Sequence, residues 1–322
     1  MLSGFIDQLN EWGNSKTPFL FIIDFEKEKP LAWRLDQVNS EELLFDINGF
    51  TNRGFIEPIE PEVVLCSNPL SFEAYKGKFD KVFDNLTYGN SFLTNLTVKS
   101  AIELNVSLKT LFYLSRSRYK CWFKNQFLFF SPESFIQIKD ESIFSFPMKG
   151  TIDASLPDAR RLILENKKEL AEHVTIVDLI RNDLSQVAKE VKINRFRYLN
   201  EITTLNKTLL QVSTEIEGKL PTGYVKRIGD ILFSLLPAGS ISGAPKEKTL
   251  QIIREAEGES RGYYTGIFGY FDGENLDSGV AIRFIEQQGD QLFYRSGGGI
   301  TAQSIAWDEY LEVIQKIYVP VA

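Results

Sequence analysis

Apolar positions recur along the chain with two spacings, and the spacing changes from one segment to the next. Between Phe72 and Tyr88 they fall at helical intervals, with Phe72, Tyr75, Phe79, Val82 and Phe83 on one face, and Gly89-Asn90 closes the run. Leu2–Trp12 predicts a shorter amphipathic helix and Phe19–Phe25 a buried strand. Ser91–Thr97, Cys121–Lys124, Phe127–Phe130, Ile136–Lys139 and Ile143–Phe146 are short apolar runs that predict strands. Ala154–Asp158 reads as a cap, and apolar positions then pass through Leu162, Leu170, Ile176, Leu179 and Leu184 to about Val187, a long or broken helix. Val191–Ile193 and Ile202–Ile216 predict strands, Asp230–Leu236 a helix, Pro237–Lys246 a glycine-proline loop, and Glu247–Glu257 a further helix. The last fifth is β-rich over Gly262–Phe271, Ser278–Glu286 and Gln291–Ser296, and a helix from about Trp307 to Ile317 closes it. Asn52–Pro69, broken by Pro58, Pro61 and Pro69, is expected to wrap the core in pieces. Short strands with helices between and after them predict one large α+β domain, and no repeat or low-complexity linker divides it.

Composition narrows the function. An apolar share of 43% and a charged share of 25% suit a globular protein with a sizeable core. The net charge of −7 argues against nucleic acid or an anionic membrane as a partner, so an anionic substrate needs a local cluster of Lys and Arg. Cys66 and Cys121 form no CxxC pair, which suits a reducing cytosol. There is no basic leader with an apolar core, and Phe19–Ile23 is too short to span a bilayer, so the cytoplasm is the expected location. One histidine and two cysteines argue against a Ser-His-Asp triad or a His/Cys zinc site.

The chemistry concentrates in a few places. Lys149 follows Pro147-Met148 and precedes Gly150, where a sheet hands over to a helix; it is either a solvated turn lysine or a reactive amine on a rigid scaffold. Glu169 and Glu172 are three apart on one helix, and Glu309 and Glu312 repeat the device with Lys316 beyond. Each pair is a solvated face or half of a carboxylate site for magnesium. His173 neighbours Glu172 but points off its face, so it reads as a packed residue. Gly239-x-x-x-Gly243-Ala-Pro-Lys246 lacks the Gly-Lys-Ser/Thr ending of a phosphate loop, which argues against nucleotide binding. Gly297, Gly298 and Gly299 offer either a tight turn or backbone N–H groups for an anion. Arg283 follows apolar Val280–Ile282, and a buried arginine wants a carboxylate.

Taken together these blocks resemble the chorismate-utilising enzymes, the family of anthranilate, aminodeoxychorismate, isochorismate and salicylate synthases. The stretches that carry the resemblance are Ser131-Pro-Glu-Ser-Phe135, Pro147-Met-Lys-Gly-Thr151 and Lys168–Leu184. Further matches are Gly239–Lys246, Arg261-Gly-Tyr-Tyr-Thr-Gly266, Ala281-Ile-Arg283, Ser296–Ile300 and Glu309-Tyr-Leu-Glu312 with Lys316. With Tyr88–Thr97 the match reaches back to about residue 73, leaving 1–72 as a variable N-terminal portion of a single domain spanning 1–322.

The resemblance implies two packed antiparallel sheets flanked by helices. It implies Mg²⁺ on Glu169, Glu172, Glu309 and Glu312, and chorismate contacts from Ser240, Tyr264, Arg283, Gly297, Gly298, Gly299 and Lys316. It also implies a specific activity, because the Pro-x-Lys-Gly-Thr form is similar to that of enzymes replacing the C4 hydroxyl of chorismate with an amino group, for p-aminobenzoate and folate biosynthesis. Lys149 would add at C2 as the C4 hydroxyl leaves, protonated by Glu133; ammonia would then add at C4 and expel the lysine. To attack, Lys149 must be neutral, which desolvation or a nearby cation would favour. Anthranilate-type enzymes usually place alanine where Lys149 stands. They are the alternative reading, followed by isochorismate or salicylate synthesis and by an inactive regulatory relative. Two positions depart from the family pattern: Leu210 stands where a histidine is common, and Gln303 replaces a common aspartate. The cysteines and lone histidine lack the surroundings of a glutaminase nucleophile, so ammonia is expected from a separate glutamine amidotransferase subunit.

Overall fold

Strand propensity and apolar alternation produce the α+β architecture expected. The strands pair into two antiparallel sheets flanked by helices. The structure, a computed structural model, describes residues 2–54, 62–203 and 208–321. Residues 55–61, with Pro58 and Pro61 of the interrupted stretch, and residues 204–207 of the Ile202–Ile216 segment lie outside the described residues. By contacts the chain divides into two compact units, the first made of Met1–Pro18, Ser134–Ser240 and Phe271–Asp277, the second of Phe19–Glu133, Ile241–Tyr270 and Ser278–Ala322.

In the first unit the long strand Thr208–Lys219 is the backbone of the arrangement. One edge pairs with Met148–Asp153 and Ser142–Ser145, which in turn pairs with Ser134–Lys139; the other edge pairs with Lys189–Thr203. The long helical pattern is in fact two helices, Ala159–Glu165 and Lys167–Ser185. Asn166 separates them and caps the second, its side-chain oxygen accepting the Glu169 N–H at 3.1 Å. The Leu2–Asn14 helix docks on Ile228–Ser234 through Asn10, whose side-chain oxygen accepts the Gly229 N–H at 2.9 Å. A Cβ on Gly229 would stand 2.5 Å from the Ile6 carbonyl oxygen, so only glycine lets the two backbones meet there.

In the second unit the run of strands is Gly243–Ala244, Leu93–Leu104, Gln291–Ile300, Phe284–Gln288, Phe127–Ser131, Tyr119–Phe123, Leu43–Ile47 and Phe50–Thr51. Phe127–Ser131 is buried at every position, because both faces of this sheet are covered. Phe127 and Phe129 face a cluster with Leu20, Ile22 and Phe268, contributed by the strands Phe19–Ile23 and Ile267–Phe271. Leu128 and Phe130 face the opposite way, onto the helix Leu108–Leu114. Farther along, Leu96, Val98 and Ile300 pack against the helices Phe72–Tyr88, Lys246–Glu257 and Ala306–Gln315. The first of these carries the apolar face predicted for it, with Tyr75, Phe79, Val82 and Leu86 buried; Ser71 caps its start and Gly89, at φ 90°, its end. Among the described residues no helix is long and apolar enough to cross a membrane.

Candidate active site

Lys149 is not in a turn. It lies in the strand Met148–Asp153, one residue after Met148, which pairs with Ser213; pairing resumes at Thr151 opposite Gln211. Lys149 and Gly150 together oppose Val212 alone, so the lysine is displayed on a β-bulge, a device that re-aims a side chain beside a site. Gly150 makes the bulge possible at φ 85°, a conformation that costs an L-residue energy. Its missing side chain also gives room to a carboxylate, since a Cβ there would stand 3.2 Å from Glu169 Oε2.

The helix Lys167–Ser185 supplies what faces the lysine. The Lys149 ammonium lies 3.7 Å from Glu172 Oε2, with side chains 23% and 13% exposed, so the pair is largely withdrawn from water. The carboxylate is thus the group beside Lys149, where the sequence allowed for a cation. His173 is fully buried, as its position off the glutamate face predicted, and its Nε2 hydrogen-bonds Thr214 Oγ1 at 2.6 Å. Burial, with the Arg197 and Lys149 charges adding to it, pushes its pKa down to about 4, so the ring is neutral at pH 7. Ser240 occupies a short 3-10 turn, Gly239–Ile241, which presses on the same helix: a Cβ on Gly239 would meet Leu179 at 3.1 Å and Asp183 Oδ2 at 3.3 Å. Leu210 is buried on the strand opposite Ile152.

The second unit gathers another group. Gly297, Gly298 and Gly299 form no turn; they continue the strand Gln291–Ile300, paired with Thr97, Leu96 and Asn95. On the other edge, pairing with Phe284–Gln288 ends at Arg295, so among the described residues no strand pairs the glycines there. The Gly297 carbonyl on that edge accepts from Lys316 Nζ at 2.7 Å, and alternation along the strand turns the N–H groups of Gly297 and Gly299 to the same side. Lys316 also bonds Glu312 Oε1 at 2.6 Å. A Cβ on Gly298 would lie 3.5 Å from Glu312 Oε1, 3.6 Å from Glu309 Oε2 and 3.8 Å from Lys316 Nζ, so the glycine run and the helix Ala306–Gln315 hold both carboxylates and the amine over one backbone atom. Glu309 is buried and its Oε1 accepts the Ser304 hydroxyl at 2.6 Å. Gln303 is exposed, its backbone N–H on Thr301 Oγ1.

Arg283 stands at φ 53°, in the left-handed region, and its Nε donates to the Tyr318 hydroxyl at 3.3 Å while the guanidinium lies over that ring. Among the described residues no carboxylate lies within ion-pair distance of it, so none of them meets its demand for an anion. Tyr264 is buried against Phe284, and burial pushes its phenol up to about 12 despite the Arg261 and Arg283 charges. Glu133 follows the strand Phe127–Ser131; its N–H bonds Ser131 Oγ and its carbonyl accepts the Val280 N–H.

Sequence reasoning passed over Arg261 and Glu257. They form a bidentate pair at 2.9 and 2.6 Å with both side chains almost wholly buried. The Arg261 guanidinium also donates to the carbonyls of Asn95 and Ile241, and Glu257 Oε1 accepts the Thr97 N–H. Asn95 and Thr97 are the partners of Gly299 and Gly297, so this pair takes the place of a strand behind the glycine run. The available signal was spacing: Glu257 and Arg261 stand four apart across the end of an amphipathic helix.

The carboxylates fit a hard divalent cation by donor chemistry, since magnesium prefers carboxylate oxygens and keeps other positions for water or substrate. Each unit holds one Glu-x-x-Glu pair, and among the described residues no group of three or more His, Cys, Asp and Glu side chains gathers by itself.

The profile of the chorismate binding enzyme family matches residues 26–322, and the chain belongs to that family. The match begins well before residue 73, where the motifs run out. An uncharacterised PabA-like protein of Haemophilus influenzae is 51% identical over 98% of this chain and 96% of its own length. Component 1 of the aminodeoxychorismate synthase of Bacillus subtilis is 30% identical over 78% of this chain and 55% of that one. The fold is shared with MenF, the menaquinone-specific isochorismate synthase from Escherichia coli, at a TM-score of 0.74 and 15% identity over 98% of this chain and 80% of that one.

Proposed function

We propose that this chain is the synthase component that converts chorismate and ammonia into 4-amino-4-deoxychorismate. The observation that carries this reading is Lys149 on its bulge, 3.7 Å from Glu172, in a chain of the chorismate binding family. The likeness to the Bacillus subtilis synthase component supports it. Once the Lys149 ammonium has given up a proton, the neutral amine adds at C2 of chorismate as the ring double bonds shift and the C4–O bond breaks. Glu133 gives its proton to the departing oxygen, which leaves as water. Ammonia then adds at C4, the double bonds shift back, and the bond from C2 to Lys149 breaks, returning the amine. The net change is one hydroxyl exchanged for one amino group.

Arg283, Lys316, Ser240, Tyr264 and the N–H groups of Gly297–Gly299 bind and orient the two carboxylates of chorismate in this reading. Arg283 supports it most directly, as a guanidinium with no carboxylate partner among the described residues. Glu169, Glu172, Glu309 and Glu312 are the residues that would hold Mg²⁺, which supplies positive charge for a substrate carboxylate. Ammonia comes from a separate glutamine amidotransferase, and the reaction runs in the cytoplasm.

The test is product identification. The purified chain is incubated with chorismate, Mg²⁺ and either ammonium or glutamine, and the product is resolved by chromatography and mass. Aminodeoxychorismate from ammonium, and none from glutamine, is the expected result. Anthranilate, isochorismate, salicylate or unchanged chorismate would overturn the assignment, and product from glutamine would overturn the separate partner.

A further inference from the structure

Thr214 is the hub of a closed ring of contacts in the first unit. Its N–H donates to the Pro147 carbonyl at 3.1 Å, two residues before Lys149. Its neighbour Ser213 pairs with Met148, the residue before Lys149. Its hydroxyl meets His173 Nε2 at 2.6 Å, and His173 follows Glu172 on the helix Lys167–Ser185. Glu172 returns to Lys149 at 3.7 Å and closes the ring. The Thr214 hydroxyl also accepts the Arg197 N–H at 3.0 Å, while the Arg197 guanidinium donates to the carbonyls of Leu164 and Ile163 at the end of the helix Ala159–Glu165.

We infer that His173, through Thr214, is a positioning residue that sets the Lys149 amine against the Glu172 carboxylate. The inference rests on the proposed role of Lys149 and goes beyond it, assigning a task to two residues that touch neither substrate nor metal in that reading. Apolar packing alone leaves a helix free to slide or roll over a sheet by fractions of an ångström. A hydrogen bond of 2.6 Å between two groups that are both 0% exposed does not, because no water competes for it and breaking it strands a buried polar atom. The edge of Phe196, at 6.1 Å and 65° to the imidazole, confines the ring on another side. A bulge fixes where Lys149 leaves the strand and a helix fixes where Glu172 leaves its turn; the His173–Thr214 bond joins these two frames. Misplacement of a reacting group by about 1 Å costs on the order of a hundredfold in rate, so this tie bears on catalysis.

The test compares Thr214→Val, which keeps the shape and the N–H to Pro147 but removes the hydroxyl, with Thr214→Ser, which keeps the hydroxyl. His173→Phe and His173→Gln form a second pair: the ring shape without the hydrogen bond, and an amide in reach of the Nε2 position. Two readouts are taken on the whole chain, after circular dichroism has confirmed folding. The first is labelling of Lys149 by a small amine-acylating reagent, followed peptide by peptide by mass spectrometry without chorismate. The second is kcat and KM for chorismate. Thr214→Val and His173→Phe should change the Lys149 labelling rate at least threefold, with other lysines unaffected. They should lower kcat about tenfold or more with KM within about twofold, and Thr214→Ser and His173→Gln should recover most of both. Unchanged Lys149 labelling in whichever of Thr214→Val and His173→Phe folds would overturn the inference. So would a loss of kcat that neither conservative variant recovers. The labelling arm needs no turnover, so a wild-type chain that makes no aminodeoxychorismate refutes the proposed function and leaves this test standing.

Discussion

Lys149 and Glu172 face each other at 3.7 Å, the lysine on a strand bulge and the glutamate on the helix that crosses it. A carboxylate at this distance orients the amine and, in the proposed reaction, competes with substrate for it. The two roles make different demands on side-chain chemistry. If Lys149 acted only as a positive charge, Lys149→Arg would keep much of the rate. A guanidinium stays protonated and cannot add to carbon, so both Lys149→Arg and Lys149→Ala should lower aminodeoxychorismate formation by on the order of a hundredfold or more. The alanine variant, with its C2 face open, should direct residual product toward anthranilate. Quantitative chromatography of both variants checks this.

Glu309 is buried and bonded to Ser304, while Glu312 is half-exposed and bonded to Lys316. Like charges gathered near one another repel unless a cation offsets them. Glu309→Gln and Glu172→Gln should therefore each remove most activity, raise the Mg²⁺ concentration giving half-maximal rate, and leave the far-ultraviolet circular dichroism unchanged. Full activity of the parent chain in excess chelator contradicts the metal assignment.

Arg261 and Glu257 predict a stability effect. Removing one partner of a buried pair leaves a charge uncompensated, which costs about 3–5 kcal/mol. Arg261→Met and Glu257→Gln should each lower the unfolding free energy in urea melts by such an amount. The loss should spread to protection of the Asn95–Thr97 backbone in hydrogen exchange, since the pair satisfies groups on that strand.

Lys120 gives a dependence on pH. It is buried at 2% exposure with its ammonium donating to the carbonyls of Phe112 and Ser115 at 2.9 and 2.7 Å. Burial pushes its pKa down to about 8, against the pull of Asp46. Between pH 8 and the unfolded value near 10.5 the unfolded chain binds the extra proton, so stability from this group rises with pH across that window and is lost as pH falls through 8. The neutral amine keeps two N–H groups for the two carbonyls. Relative to Lys120→Met, the wild-type chain should gain up to about 3 kcal/mol between pH 8 and 10.5 in urea melts.

Much of this architecture was legible in the sequence, and the failures have physical causes. The helix Phe72–Tyr88 announced itself because one face is buried and both ends carry caps. The strand Lys189–Thr203 was largely missed because its side chains are mostly polar and exposed, leaving no alternation to read. Gly297–Gly299 suggested a turn because glycine is poor strand material; the contact at 2.6 Å between a Gly297 Cβ and the Leu96 carbonyl explains why a strand needs it there. Lys149 and the four glutamates stood out by residue type and spacing. The bulge that aims Lys149, the Thr214 hub and the Arg261–Glu257 pair did not, because each depends on register between segments far apart in the chain.

The proposed reaction requires Lys149 to bond covalently to the substrate during turnover. Incubating the wild-type chain with chorismate and Mg²⁺ in the absence of ammonia should accumulate protein heavier by chorismate less one water. Proteolysis and mass spectrometry should place that mass on the peptide containing Lys149, and Lys149→Ala should show none. No adduct on the parent chain, together with wild-type rates of aminodeoxychorismate formation by Lys149→Ala, would contradict it.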